Sequence, residues 1–327
     1  MNINKEQNLQ FILNCIEKWG NCSSIIALER DDCQIFTDEH KTGLIIYYST
    51  PKYNVVFGDP VCSENYLNKI ILEFKLFCQN KNQKPIYLNA SSKLAKHLHE
   101  VEDYAIIDFG DQLSLKINQD FKIMSGFYGN LLRRKYKAAE KSNIVINEYK
   151  NNSLELEKKL EKVAEIWLKN RKGIQTGIIP VNIFKNKINK RWFYAKYNNE
   201  IIGLLTLNKI NNNKFVINLL IHTPTSPPET SDYLVLKTIE YLKLEKIEDF
   251  CIGITPKKRL NQMSGFNKIN EFIIKFVYML STKILKHQNK QRFWKKFIPA
   301  FESSFIVLPD KGIKLAHILS LLKSVKA

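Results

Sequence analysis

Residues 192–222 read WFYAKYNNEIIGLLTLNKINNNKFVINLLIH. Three runs rich in β-branched, aromatic and other apolar residues are separated by short asparagine-containing segments. Asparagine favours turns because its side chain bonds to nearby backbone and because it tolerates positive φ. The spacing therefore predicts three antiparallel strands joined by tight turns. They cover Trp192–Tyr197, Ile201–Ile210 and Lys214–His222.

The elements on either side of these strands complete a recognisable order. A long helix with an apolar stripe is expected before them, over Leu154–Lys172, and another after them, over about Thr230–Lys246. A strand, a helix, a strand and a closing helix are expected next, over Phe250–Ile254, Asn270–Lys286, Ser304–Leu308 and Ile313–Val325. Helix, three antiparallel strands, helix, strand, helix, strand is the order of an N-acetyltransferase-like (GNAT) domain.

The first part of the chain roughly parallels this order. A helix is expected over Lys5–Trp19 and an amphipathic helix around residues 67–78, with shorter elements between and after them. The expected β-type runs are Ser24–Leu28, Cys33–Thr37, Gly43–Tyr48, Tyr53–Phe57, Pro85–Asn89 and Tyr104–Phe109. We therefore predict an α+β protein with tandem GNAT-like domains, built on mixed, mostly antiparallel sheets flanked by helices.

The charge distribution supports a division into two parts. Residues 1–135 contain 16 Lys and Arg against 16 Asp and Glu, whereas residues 136–327 contain 34 against 16, so the second part carries the whole net charge of +18. We predict a neutral first domain (1–135) and a basic catalytic domain (136–327), joined through a basic helix at about 126–141. Such an excess indicates a polyanionic partner, although a merely solvated lysine surface is the alternative.

Other features narrow the class of protein. No run of about 18 apolar residues is present, and residues 1–8 are polar, so we expect neither a membrane-spanning segment nor a signal peptide. The six cysteines show no zinc-binding spacing and are expected to be buried free thiols in a reducing cytoplasm. No pyrophosphate-binding loop with the spacing typical of acetyl-CoA enzymes is found, since Lys257–Gly265 has a different spacing. We therefore expect no cofactor and a different acyl donor.

One segment combines charge with aromatic rings. Gln291–Glu302 reads QRFWKKFIPAFE, with three cationic and four aromatic residues. Its charges need water or an anion, while its rings need burial. We interpret it as a surface that meets a partner both anionic and partly apolar. A phospholipid head-group region and an RNA end both fit.

Four motifs, taken in order, resemble the C-terminal catalytic region of the aminoacyl-phosphatidylglycerol synthases, the lysylphosphatidylglycerol synthetase or multiple peptide resistance factor family. They are VFGDPV (56–61), NLLRR (130–134), PPETSDYL (227–234, with the strand 251–256 after its helix) and RFWKKFIPAFE (292–302). Two positions depart from the family pattern. Trp294 replaces a basic residue, and Gly173–Gly177 lacks an acidic one.

The resemblance implies transfer of an aminoacyl group from aminoacyl-tRNA to a hydroxyl (or an amine) of a membrane lipid such as phosphatidylglycerol, without metal or CoA. The partners implied are aminoacyl-tRNA and an anionic phospholipid membrane surface, with the protein cytoplasmic and peripheral at the inner face of the membrane. Both partners are anionic, which suits a basic second domain.

The resemblance also nominates site residues. Asp232 and Lys296 are the predicted catalytic pair, with Asp232 orienting the attacking group or acting as its base. An alternative for Asp232 is a purely structural place at a helix start. The predicted substrate-binding residues are Arg292, Lys295, Arg133, Arg134, Arg171 and Lys172, although Arg133 and Arg134 also suit a role in capping their helix.

Two other functions remain open from the sequence alone. One is an acyl-CoA N-acyltransferase or a Fem-type peptidyl transferase on the same fold, which CoA binding would distinguish. The other is a catalytically inactive basic module that binds membranes or RNA, which would bind in a salt-sensitive manner without any transfer.

Overall fold

The computed structural model describes residues 1–118, 120–150, 153–170, 183–184, 186–260, 262–284 and 288–325. Its strands are β1 (Asn2–Ile3), β2 (Cys33–Thr37), β3 (Gly43–Ser49), β4 (Tyr53–Phe57), β5 (Val61–Cys62), β6 (Lys84–Ser91), β7 (Ala105–Lys116), β8 (Val145–Glu148), β9 (Lys190–Tyr197), β10 (Glu200–Asn211), β11 (Lys214–His222), β12 (Asp249–Pro256), β13 (Met263–Ser264) and β14 (Ala300–Leu308). Its helices are α1 (Leu9–Trp19), α2 (Cys22–Leu28), α3 (Leu67–Gln79), α4 (Ser92–Glu102), α5 (Gly126–Lys141), α6 (Leu154–Asn170), α7 (Thr230–Leu244), α8 (Lys268–Ile284), α9 (Gln288–Lys295) and α10 (Leu315–Val325).

The strands form one continuous sheet in the order β1-β2-β3-β4-β6-β14-β7-β12-β11-β10-β9-β8, with β5 and β13 on its margins. Two neighbouring pairs, β4 with β6 and β11 with β12, are parallel, and the remaining pairs are antiparallel. A crossover helix, α3 or α7, connects each parallel pair, as parallel strands require. The prediction of mixed, mostly antiparallel sheet flanked by helices is confirmed.

The two halves repeat one plan and exchange their last strands. In each half, antiparallel strands lead to a crossover helix, a parallel strand, a further helix and a final strand. The final strand of the second half, β14, lies between β6 and β7 of the first, while β7 pairs with β12 of the second. The boundary at residue 135 stays a prediction. The exchanged strands explain why the sheet shows no break between the halves.

The first hairpin of residues 192–222, formed by β9 and β10, has the turn that its asparagines predict. Asn198 and Asn199, between β9 and β10, have φ values of 47° and 63°. Positive φ at both central residues is what a tight hairpin turn needs, and asparagine tolerates it better than most residues. The predicted strands in this stretch are confirmed to within two residues at each end.

The predicted strand over Ser24–Leu28 is wrong, because these residues belong to helix α2. The Asn21 side chain accepts a hydrogen bond from Ser24 N at 2.9 Å, and Ser24 Oγ accepts one from Asn21 N at 3.1 Å. This reciprocal capping stabilises the first turn of a helix. It overrides the strand preference of the β-branched residues that follow.

Helices cover both faces of the sheet. On the first half, α1, α2, α8 and α10 pack on one face, where Val55 points, and α3 and α4 pack on the other, where Val56 points. On the second half, α5, α7 and α9 pack against Leu205, while α6 packs against Leu204. None of these helices, within the part of the chain that the structure describes, is both long and apolar enough to cross a bilayer.

The expectation that all six cysteines are free is wrong for two of them. Cys22 on α2 and Cys251 on β12 form a disulfide across a sequence separation of 229 residues. Cys15, Cys33 and Cys78 are buried free thiols and Cys62 is a half-buried one. The pairing depends on the packing of α2 against β12, which no local cysteine spacing encodes.

Candidate active site

The strands of the second parallel pair, β11 and β12, diverge and leave a cavity between them. β11 and β12 are paired only from Lys214 to Val216, whereas β4 is paired with β6 along its whole length. Beyond Val216 the two strands part, and a cavity of about 240 Å³ lies in the gap. Its walls come from β11, β12, α2, the ends of β4 and β6, and α9. The lining residues are Cys22, Ser23, Ile26, Ala27, Arg30, Phe57, Asn89, Ile217, Asn218, Ile252, Gly253, Ile254 and Lys290.

Gly253 shapes one wall of this cavity. It has a φ of +91° in the interior of β12, and the register of β12 against β7 shifts between Cys251 and Gly253. Only glycine adopts this backbone conformation without strain. A glycine inside a strand often marks a bulge or a close approach, so Gly253 was the one clue in the sequence to the cavity.

Lys290 extends from α9 to the same wall. The residue is exposed overall, and its amine lies 3.4 Å from the carbonyl oxygen of Ile254. A Cβ at Gly253 would stand 3.8 Å from this amine. Burial of the amine lowers the pKa of Lys290 to about 8. Sequence reasoning missed Lys290, because nothing in its local pattern indicates where the side chain ends.

The structure brings Asp232 and Lys296 together. Asp232 lies in the first turn of α7, the helix that connects β11 to β12, and Lys296 directly follows α9. The Lys296 ammonium forms an ion pair with the Asp232 carboxylate, and the two side chains are only 13% and 4% exposed. The ammonium also lies 4.0 Å from the centre of the Phe293 ring. The result is a cation held by a carboxylate and an aromatic face in a largely dry setting.

The segment Gln291–Glu302 is only partly the surface that we expected. Trp294 and Phe297 are 4% and 5% exposed and belong to the core under α5 and α7. The cations at Arg292 and Lys295 point outward and are exposed. Helical spacing separates the rings from these charges, so most of the aromatic character holds α9 in place. Trp294 lies on the buried side of the helix, where a charged residue would need a partner.

The remaining predicted site residues lie elsewhere. Arg133 donates to the carbonyl oxygens of Phe121, Lys122 and Met124 at 3.4, 3.2 and 2.7 Å, which organises the chain before α5. Arg134 is exposed on the same helix. Arg171 and Lys172 fall outside the described residues. The structure therefore joins the predicted catalytic pair, whereas Arg133 is bound to the chain before α5.

Comparison with known proteins places the chain in a family. A family model described as "Phosphatidylglycerol lysyltransferase, C-terminal" matches residues 14–308. The chain belongs to this family, as its four motifs predict. A relative, the phosphatidylglycerol lysyltransferase of Staphylococcus aureus strain MRSA252, is 22% identical over 322 residues. That match covers 92% of this chain but 36% of the relative, so the chain spans about a third of the length of this relative.

Solved structures share the fold. The structure of L-PGS from Bacillus licheniformis superimposes with a TM-score of 0.77 at 16% identity, covering all of this chain and 98% of the other. The crystal structure of FemX gives a TM-score of 0.60 at 9% identity, with 99% of each chain covered. These matches, together with the repeated plan of the sheet, confirm the tandem GNAT-like fold.

Proposed function

We propose that this protein transfers an aminoacyl group from aminoacyl-tRNA to a hydroxyl of a membrane lipid such as phosphatidylglycerol. The observation that carries the proposal is the buried ion pair between Asp232 and Lys296 at the start of α7, in a member of this family. The similarity to a phosphatidylglycerol lysyltransferase supports an aminoacyl transfer to a lipid. The tRNA donor, the acyltransferase activity of this chain and its place at the inner face of the membrane are parts of the proposal.

The reaction is an exchange of esters. The lipid hydroxyl oxygen attacks the carbonyl carbon of the aminoacyl ester, and the bond from that carbon to the ribose oxygen of the tRNA breaks. The hydroxyl proton ends on the ribose oxygen. One ester replaces another, so no energy source is needed, and we propose that neither CoA nor a metal takes part. The protein has to orient the two substrates, move one proton and stabilise the oxyanion.

Asp232 and Lys296 suit the last two tasks. The carboxylate of Asp232 accepts the proton of the lipid hydroxyl and passes it to the ribose oxygen. The Lys296 ammonium balances the charge of this carboxylate in the ground state. When the carboxylate becomes neutral, the ammonium is released to stabilise the oxyanion. The low exposure of the pair strengthens both interactions, because little water screens them.

Exposed cations suit the donor. Arg134, Lys137 and Lys141 lie at helical spacing of three and four along α5, and all three are exposed. Such a row matches the spaced phosphates of an RNA backbone and makes binding sensitive to salt. Arg292 and Lys295 add two exposed cations beside Lys296. This arrangement supports a polyanionic donor whose acylated end approaches the Asp232–Lys296 pair.

The test is a transfer assay with the purified chain. Charged tRNAs carrying labelled amino acids are mixed with phosphatidylglycerol in detergent micelles, and lipid-soluble label is counted. We expect transfer with at least one charged tRNA, and a loss of about 100-fold or more in Asp232→Asn and Lys296→Met. Lys296→Arg should retain part of the activity because it keeps the positive charge.

Matched controls separate chemistry from folding. Glu229→Gln removes another acid from the start of α7, one that pairs with Lys135 at 3.3 Å. Lys162→Gln removes an exposed lysine from α6, on the opposite face of the sheet. Both controls should keep most of the activity. Absence of transfer with every charged tRNA would overturn the proposal, and full activity in Asp232→Asn would overturn the role of the pair. Calorimetric binding of CoA would instead favour an acyl-CoA enzyme.

A further inference from the structure

Helix α8 carries large apolar side chains on its outer face. Phe272 and Phe276 are 73% and 51% exposed, and Ile269, Ile273 and Leu280 are 72%, 39% and 41% exposed. They recur at intervals of three and four residues, so they form a continuous stripe along the helix. A folded protein rarely presents so many contiguous apolar side chains to water without a partner.

Helix α10 extends this stripe into a broader surface. Its Leu315, Leu319 and Leu322 are 70%, 48% and 41% exposed. The loop before α10 meets the start of α8, where Asn270 Oδ1 accepts a hydrogen bond from Ile313 N at 3.4 Å. Both helices pack their inner faces on the same core. We call the exposed apolar residues of the two helices the α8–α10 crest. Its members are Ile269, Phe272, Ile273, Phe276, Leu280, Leu315, Leu319 and Leu322.

Exposed lysines surround the crest. They are Lys268, Lys275, Lys311, Lys314 and Lys323. Three of them are ion-paired, Lys275 with Glu271 at 3.7 Å, Lys314 with Asp310 at 3.0 Å and Lys311 with Asp103 at 2.5 Å. Among the described residues Lys268 and Lys323 form no ion pair, so the lysines outnumber the acids. The border of the crest is therefore basic. An apolar centre with a basic border is complementary to a bilayer with anionic head groups.

The crest is held on the folded body rather than on a loose helix. On the inner side of α8, Ile274 is buried, and the Tyr278 hydroxyl lies 2.7 Å from the carbonyl oxygen of Lys257 and 2.5 Å from that of Phe109, so its one proton is shared between them. The outer residues of α8 thus stay outward because the inner ones are fixed.

The crest and the cavity share an anchor at the carboxyl end of β12. Tyr278 attaches α8 to Lys257, and Gln291 attaches α9 to the Pro256 carbonyl oxygen at 2.7 Å. Gly253 and Ile254, a few residues earlier on β12, line the cavity. A lipid held at the crest would therefore lie on the side of the molecule where α9, which carries Lys290 and leads to Lys296, is anchored.

We propose that the α8–α10 crest inserts into the head-group region of an anionic phospholipid bilayer, with the lysines of its border on the lipid phosphates. The proposal rests on the proposed function in that the acceptor is a lipid, and it names the surface through which that lipid is reached. The helices lie in the plane of the interface, with their apolar faces turned toward the acyl chains.

The test is co-sedimentation of the protein with vesicles of phosphatidylglycerol and phosphatidylcholine, and with vesicles of phosphatidylcholine alone. We expect binding to the anionic vesicles and a fall of about tenfold or more for the double variant Phe272→Ser and Phe276→Ser, because it removes two large apolar side chains from the interface. The matched control is Leu72→Ser with Leu76→Ser on α3, which are 51% and 50% exposed on the opposite face of the sheet. This control should bind as the unchanged protein does.

Charge and self-association give two further readouts. The double variant Lys268→Gln with Lys323→Gln should bind anionic vesicles more weakly than the unchanged protein does. This difference in binding should become small at high salt, because salt screens the attraction between lysines and lipid phosphates. Equal binding by the phenylalanine variant and the control would overturn the proposal. So would a dimer of the unchanged protein that the phenylalanine variant converts to a monomer, because a second copy would then cover the crest.

A micelle assay separates this proposal from the proposed function. In detergent micelles the lipid needs no docking surface, so the phenylalanine variant should transfer aminoacyl groups at close to the unchanged rate while failing on vesicles. If the unchanged protein binds vesicles through the crest but transfers nothing in micelles, the proposed function fails and the docking surface stands. If the unchanged protein transfers aminoacyl groups in micelles, and the phenylalanine variant acts on vesicles as well as the unchanged protein does, the docking surface is wrong while the proposed function stands.

Discussion

The ammonium of Lys296 neutralises the carboxylate of Asp232 in the first turn of α7, with both side chains almost entirely removed from water. The two residues are 64 positions apart in the sequence. Asp232 belongs to α7, and Lys296 directly follows α9. Their meeting depends on the placement of α9. Trp294 on this helix and Phe297 just after it are buried in the core shared with α7.

The first prediction concerns the stability of this pair. Lys296→Met leaves the Asp232 carboxylate buried without a counter-charge, and we expect the free energy of unfolding to fall by about 3 kcal/mol. The double variant Lys296→Met with Asp232→Leu should lose less than this single variant, because neither charge remains buried. Urea unfolding of the three proteins measures the difference. Lys295→Met, at the exposed neighbouring position, should change the free energy by no more than about 0.5 kcal/mol. A double variant less stable than Lys296→Met would contradict the prediction.

The second prediction separates two neighbouring arginines. Arg133 donates to three carbonyl oxygens before α5, so Arg133→Ala should lower the free energy of unfolding by about 1–3 kcal/mol. Arg134 is exposed, so Arg134→Ala should leave stability within about 0.5 kcal/mol. Thermal unfolding measures both. Filter binding of tRNA should show a smaller salt dependence for Arg134→Ala. Equal stability of the two variants would contradict the assignment of Arg133 to structure.

The third prediction concerns Lys290, whose pKa is lowered from 10.5 to about 8 by burial of its amine. Between these two values the unfolded chain holds a proton at Lys290 that the folded chain has released. Stability therefore rises with pH through this window, and the destabilising effect of the charged amine is fully present below about pH 8.

Lys290→Met removes the titrating group. We expect this variant to be more stable than the unchanged protein at pH 7, and we expect the difference to shrink as the pH rises above 8. Urea unfolding from pH 7 to pH 10 measures it, with Lys295→Met as the matched exposed control. Acylation by a lysine-reactive reagent, followed by mass spectrometry, gives an independent readout. Lys290 should be labelled at a lower pH than Lys295, and the reverse order would contradict the buried amine.

The fourth prediction concerns the disulfide between Cys22 and Cys251. Thiol titration of the denatured protein should give four free thiols without reductant and six with it. In the folded protein the free thiols should react slowly at pH 8, because burial raises the pKa of Cys15, Cys33, Cys62 and Cys78 to about 11.

Loss of the disulfide should also lower stability. We expect Cys22→Ser to reduce the free energy of unfolding by about 2–5 kcal/mol relative to the oxidised protein, because the bond joins distant parts of the chain. The matched control is Cys62→Ser, which removes a half-buried free thiol. Six reactive thiols in the denatured, unreduced protein would contradict the pairing.

Much of the fold could be predicted from local pattern. Period-two apolar runs with asparagine turns predict β9, β10 and β11, and helical periodicity predicts α3 and α7, because these preferences act within a few residues. The wrong prediction of a strand at residues 24–28 also has a local cause. Asn21 and Ser24 have the spacing of a helix-capping pair, but the β-branched residues that follow them favoured the prediction of a strand. The motifs that mark the family also lie within single segments, so the sequence was enough to find them.

The arrangement of the site depended on the tertiary structure. The sequence by itself determined that Asp232 begins a helix and that Lys296 follows an aromatic run. Only the fold decided that the two meet, that Trp294 turns inward, that Arg133 serves the chain before α5, and that Cys22 reaches Cys251. The exchange of β7 and β14, and the separation of β11 from β12 that opens the cavity, are likewise relations between distant segments. Local preferences limit the conformation of each segment. Contacts between distant residues are selected by the packing of the whole chain, so they could not be predicted from the local pattern of a single sequence.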